Sequence, residues 1–142
     1  MHSAILRRRA RECALQFLFG LEFTGNSWKT DIGDFWEHFP ARPGAKAYAE
    51  HLIRGVCEHR EALDEQIMEC LEKWTPDRVG RIERTILRIA LFEMIHVPDV
   101  PIKVAINEAI EVAKRFGSEE SPRFINGVLD RLAQKMRDVI TP

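Results

Sequence analysis

The chain has 142 residues, 45% of them hydrophobic, with only 8 Gly and 7 Pro. That composition excludes a disordered segment and fits one ordinary folded domain with a real core. Lys and Arg number 21 against 22 Asp and Glu, for a net charge of −1, so the chain is not globally basic and any affinity for nucleic acid has to rest on local charge. 

Cys13, Cys57 and Cys70 are odd in number, far apart and without a CxxC pair, which predicts free thiols in a reducing cytosol. The five histidines are scattered, with no HExxH or His-Cys cluster, so no metal site and no cofactor is expected. Ala4-Ile5-Leu6 runs straight into arginines, and the longest apolar run is Ile89 to Phe92. Neither makes a signal core or a membrane span, and a soluble cytoplasmic protein is the expectation.

Helical periodicity is nearly continuous and strand signals are almost absent. The first helix is predicted over about 4–23. Leu6, Ala10, Cys13, Ala14, Phe17 and Leu21 share one face, and Leu15, Phe19 and Phe23 form a second apolar stripe opposite. Such a helix is either buried on both sides or offers one side to a partner. Arg7, Arg8, Arg9 and Arg11 place four positive charges in five residues of it. They read as a solvated basic tip or as a phosphate-binding group.

After a break at Thr24-Gly25-Asn26-Ser27, a short helix is predicted around Asp31–His38, followed by a loop at Pro40–Gly44. Residues 45–73 are predicted helical, with a break near Cys57-Glu58-His59. Thr75-Pro76-Asp77 is the boundary between two halves, about 1–76 and 77–142, because proline disfavours helix at the residue before it. 

A fourth helix over about Val79–Ile95 is apolar nearly all round and should be the central one. Its polar strip carries Arg81, Arg84 and Arg88. That strip is read as a solvated face, as partners of Glu83 or Glu93, or as a phosphate contact. Pro98 and Pro101 lead into a cleanly amphipathic helix over Ile102–Phe116. Gly117 is expected as a left-handed cap, and Ser121-Pro122 as a hydroxyl cap with proline at the first position of the last helix. The fold class is therefore all-α: a compact bundle of six or seven helices in two packed halves, forming one domain over 1–142.

No catalytic constellation emerges. There is no P-loop, the glycines are isolated, and Glu119-Glu120 sits where a helix start favours negative charge. What remains is a local arginine cluster, a second basic strip, and Phe116 and Phe124 flanking a polar corner. Cationic groups on phosphates and aromatic rings under splayed bases are the elements of single-stranded RNA binding.

Three stretches carry a resemblance to a known family. RRRARECALQFLF at 7–19, IERTILRIALFE at 82–93 and DVPIKVAINEAIEVAKRFGSEESPRFINGVLD at 99–130 closely resemble the bacterial transcription antitermination proteins of the NusB family. The match runs in order over nearly the whole chain, with Gly25 to Trp74 poorly matched. 

The resemblance implies an all-helical fold of two bundled halves. It also implies a non-catalytic factor that binds the boxA element of ribosomal RNA leaders and some phage transcripts. It does so with the small-subunit ribosomal protein NusE, in an antitermination complex with RNA polymerase and other Nus factors. Carried over by position, the resemblance assigns RNA contacts to Arg7, Arg8, Arg9, Arg11, Gln16, Phe19, Phe116, Ser118, Glu120 and Phe124. It places Glu83 near the shared RNA and NusE surface, with Phe19 also at the partner surface. Phe19 stands where relatives often have tyrosine, so a hydroxyl hydrogen bond is lost there. Glu120 stands where they often have aspartate.

With so few arginines, RNA binding alone is expected to be modest and salt-sensitive, and tighter when a partner adds contacts. Three other readings accompany this one, among them a plain interaction protein that never touches RNA. The same fold resembles the N-terminal region of ribosomal RNA cytosine methyltransferases, but the strand–helix alternation of a following cofactor domain is not in this sequence. The Leu15–Phe19–Phe23 stripe would also suit a homodimer that masks the RNA face.

Overall fold

The computed structural model describes residues 4–71 and 79–140, the last two as backbone only. Six helices follow one another: α1 Ala4–Thr24, α2 Trp28–His38, α3 Pro43–Glu69, α4 Arg81–His96, α5 Ile102–Phe116 and α6 Ser121–Ile140. The described residues hold no strand. The boundary expected at Thr75-Pro76-Asp77 lies outside them.

α4 is the axis of the fold. It packs against α1, α3, α5 and α6. Every residue from Thr85 to Met94 is buried, which is what an all-round apolar helix requires. Leu87 and Leu91 are fully enclosed, each contributing about 1.5–3 kcal/mol of burial. α5 and α6 pack together and bury Ala109, Val112, Ala113, Ile125 and Leu129 in the core.

Several boundaries differ from expectation for local reasons. α2 begins at Trp28, three residues early, because the Ser27 hydroxyl accepts the Lys29 N–H at 3.3 Å and caps the helix. α3 takes Pro43 into its first turn, where the missing N–H has no intrahelical partner anyway. It then runs unbroken through Cys57-Glu58-His59. That continuity suits the crossing with α4: Gly55 lies beneath the Phe92 ring, and a Cβ there would stand 2.1 Å from Phe92 Cζ. His59 and His96 stack beside it at 4.3 Å.

Gly117 is not left-handed. Its backbone is extended (φ −93°, ψ −170°), and glycine is required there by space. A Cβ would meet Ser121 Cβ and Oγ at 2.6 Å and the Ala113 carbonyl oxygen at 2.9 Å. The Ser121 hydroxyl turns back into this corner and accepts the Ser118 N–H at 2.9 Å, so it braces the α5–α6 turn.

Two arginines for which the sequence allows a solvated position are interior. Arg88 is buried, donating to Asp64 of α3 at 2.7 and 3.0 Å and to Glu22 of α1 at 3.0 Å. Arg11 is only 5% exposed. The apolar stripe of α1 is likewise interrupted, since Leu15 is fully buried while Phe19 is half-buried and Phe23 exposed. The three do not form a continuous surface patch.

Candidate nucleic-acid interface

The arginine motif of α1 lies against α5 and the connection before it. Arg7 donates to Asp99 at 2.9 Å and sits 4.4 Å over the Tyr48 ring. Arg8 is half-exposed and grips Glu108 with two hydrogen bonds, 3.0 and 2.6 Å. Arg9 approaches Glu12 only to 3.9 Å. Arg8 holds the Glu108 carboxyl below the usual carboxylate range, chiefly through these hydrogen bonds and then by its charge, with Arg11 adding to the pull.

Arg11 departs from the expected role at the RNA backbone. Its guanidinium bonds Glu93 at 2.8 Å through both Nε and Nη2, and Glu108 at 3.3 Å through Nη1. Glu93 also accepts the Tyr48 hydroxyl. Burial and the neighbouring Glu93 push the Tyr48 phenol well above its ordinary value. Arg11 thus joins α1, α3, α4 and α5 from inside and does not reach the surface.

Arg115 was not singled out from sequence. It donates to Glu12 at 2.7 Å, lies 5.2 Å from the Phe116 ring centre and is largely exposed. Glu12 therefore serves two arginines, Arg9 and Arg115, and leaves a net positive charge on this part of the surface. The signal available in sequence was a basic residue in the last turn of α5, next to an aromatic. Its partner is 103 residues away.

From Glu12, helical spacing carries the same side of α1 through Gln16 and Phe19 to Phe23. Gln16 is half-buried, and its Oε1 has no hydrogen-bond partner. Phe19 and Phe23 meet edge to face at 5.4 Å. The Arg81 guanidinium lies 4.7 Å over Phe23, which brings the start of α4 to the end of this strip.

The start of α4 faces the α5–α6 corner across a shallow cleft of about 100 Å³, lined by Val79, Gly80, Glu83, Ser118, Glu120, Ser121 and Phe124. Four of the residues singled out from sequence (Glu83, Ser118, Glu120 and Phe124) converge here from two separate segments. Glu83 folds back over Gly80, its Oε1 standing 2.4 Å from where a Cβ on Gly80 would be. Phe116, at the end of α5, and Phe124, in the first turn of α6, are both half-buried. The arrangement presents cations, aromatic rings and a carboxylate along one strip, the components for holding a flexible phosphodiester and its bases.

Comparison with known proteins agrees with this architecture. The NusB family profile matches residues 8–134. The transcription antitermination protein NusB of Sorangium cellulosum (strain So ce56) is 42% identical over 130 residues, covering 92% of this chain and 93% of that one. That of Desulfitobacterium hafniense (strain DSM 10664 / DCB-2) is 44% identical over 132 residues, covering 92% and 89%. Among solved structures, T. maritima NusB superposes with a TM-score of 0.83 at 37% identity, covering 94% of this chain and 93% of that one. A structure of antitermination factors NusB and NusE in complex with dsRNA has the same fold, with a TM-score of 0.84 at 23% identity, covering 94% and 99%. The chain belongs to the NusB family.

Proposed function

We propose that this protein is a transcription antitermination factor. It binds boxA RNA of ribosomal RNA leaders together with the ribosomal protein NusE, and joins RNA polymerase and other Nus factors in the cytoplasm without catalysing a reaction. The observation that carries this reading is the convergence of Glu83, Ser118, Glu120 and Phe124 at one cleft, at the end of a strip that begins with Arg8 and Arg9. Arg7, Arg8 and Arg9 contact phosphates, with Arg115 added to them. Gln16, Phe19, Phe116 and Phe124 meet the bases, and Glu83 and Phe19 lie toward NusE. Arg11 supports these groups from within.

The carboxylates beside the arginines explain why affinity should depend on a partner. Asp99, Glu108 and Glu12 each occupy a cation that a phosphate would take, so RNA has to displace an internal acceptor. NusE, by adding contacts to both protein and RNA, raises the apparent affinity by linkage.

The test is a fluorescence-anisotropy titration of boxA RNA and a scrambled control, with and without NusE. It compares the native chain with Arg7→Ala/Arg8→Ala/Arg9→Ala and with Phe124→Ala. Preference for boxA, strengthened by NusE and weakened in both variants, is the expected result. Equal binding to both RNAs, unchanged by NusE and by the variants, would overturn the reading.

A further inference from the structure

A second cationic site lies past the far end of the strip. The C-terminal turns of α1, the start of α2, the middle of α3 and the N-terminal half of α4 enclose a cleft of about 490 Å³. Four arginines line it, Arg60 from α3 and Arg81, Arg84 and Arg88 from α4, and among the described lining residues the sole acid is Glu22. Arg88 is already held by Glu22 and Asp64. Glu22 reaches Arg81 only at 3.9 Å. Four arginines against these two carboxylates leave 4 − 2 = 2 positive charges. Arg84 Nε is shielded from solvent and has no hydrogen-bond partner. A buried donor of this kind is unfavourable until an acceptor arrives.

The mouth of the cleft adds a second kind of recognition. Phe23 is 64% exposed, with Arg81 at 4.7 Å from its ring centre and Phe19 edge-on at 5.4 Å. Aromatic surface therefore runs without interruption from Phe19 to the arginines. We propose that this cleft is a second phosphate-binding site, which takes the backbone of the bound RNA where the strand leaves Phe19, with one base stacked on the open side of Phe23. 

The inference rests on the RNA-binding function proposed above. Guanidinium forks suit phosphodiester oxygens. Free phosphate would satisfy the arginines but would make no use of an exposed ring at the entrance, and that favours a nucleic-acid strand as the source of the phosphate.

The experiment uses the boxA core RNA and the same RNA lengthened by a short uridine tract at its 5′ or its 3′ end. Each is titrated over a range of salt concentrations against the native chain, Arg60→Gln/Arg81→Gln and Arg84→Gln. Arg60 and Arg81 are exposed, so the double variant should keep the fold, which a thermal melt verifies. 

One lengthened RNA is expected to bind the native chain about tenfold more tightly than the core, the worth of one stacked base. Its log–log salt slope should be steeper by about 1.4, for roughly two more phosphates at ~0.7 each. The variants should lose this gain, and Arg84→Gln, which lies off the strip, should bind the core RNA within about twofold of the native chain, as expected for a residue outside the core contact. 

If the core binds and neither extension adds affinity or slope, the second site is overturned while the proposed function stands. If the core RNA fails to bind, both fall. Inorganic phosphate is titrated in parallel against the arginine Nε–H NMR signals. A shift at Arg84 with no gain from either extension would mark a small-anion site and also overturn the proposal.

Discussion

Arg11 and Glu93, 82 residues apart in sequence, close a buried two-pronged ion pair between α1 and α4, and the hydroxyl of Tyr48 on α3 donates to the same carboxylate. Removing one member strands the other charge in the interior. Arg11→Ala and Glu93→Ala should each cost about 3–5 kcal/mol, and Tyr48→Phe about 1.5–3 kcal/mol for a hydrogen bond to a charged group. The Arg11→Ala/Glu93→Ala double variant should cost clearly less than the sum. Urea denaturation of the four variants measures this. Additive losses would mean that the pair is not coupled.

Glu108 restrains the Arg8 that faces solvent. Glu108→Gln removes the competing charge and should raise RNA affinity by about two- to fivefold, the scale of an exposed ion pair. In an anisotropy titration at low salt, an unchanged or weaker affinity would show that Arg8 does not contact the phosphate.

The same carboxyl predicts a pH dependence. Its folded pKa lies below its ordinary value, mainly through the hydrogen bonds from Arg8. Its stabilisation is therefore complete above the ordinary carboxylate pKa and is lost as pH falls through the lowered value. Denaturation midpoints followed from neutral to acidic pH should fall less steeply for Glu108→Gln and for Arg8→Ala than for the native chain.

His96 acts in the same direction at higher pH. Partial burial, then the charge of nearby His59, hold its pKa below the usual histidine value. The folded protein thus resists protonation there, and stability declines as pH falls from about 6.5, the unperturbed value, toward the lowered one. NMR titration should show His96 moving toward the ordinary value in His59→Gln. No movement would mean that burial alone sets it.

Gly55 and Gly117 should respond differently to alanine. At Gly55 the methyl meets the enclosed Phe92 ring, so Gly55→Ala should destabilise by about 1–3 kcal/mol through overpacking, with RNA binding unchanged in the folded fraction. At Gly117 it meets Ser121 and a backbone oxygen in the corner itself. Gly117→Ala should weaken boxA binding more than it lowers the melting temperature. The two readouts, taken on both variants, separate a core defect from a displaced corner.

Helix α5 was legible to the residue, because a clean 3.6-residue stripe ended in glycine on one side and began after proline on the other. α4 was legible as the central helix because it is apolar nearly all round, and a helix without a polar face has to be enclosed. The continuity of α3 was not, because the residues near Cys57 are held by Phe92 and His96, contacts that periodicity does not register. Arg11 and Arg88 read as surface charge, since the acids that bury them lie on other helices. The site was legible only in part. The motifs marked Phe124, Ser118 and Glu83, but Arg115 and the cleft around Arg84 depend on how separate helices meet.

Glu108 accepts from Arg8 at the surface and from Arg11 in the interior, and Arg11 passes through Glu93 to the hydroxyl of Tyr48. Tyr48 is the chain's single tyrosine. A phosphate that draws Arg8 away from Glu108 alters the electrostatic load on a phenol at the heart of the bundle. The protein thereby contains its own reporter: isotope labelling of tyrosine alone gives the ring signals of one residue, and their chemical shifts would follow occupancy of the arginine face without any attached dye.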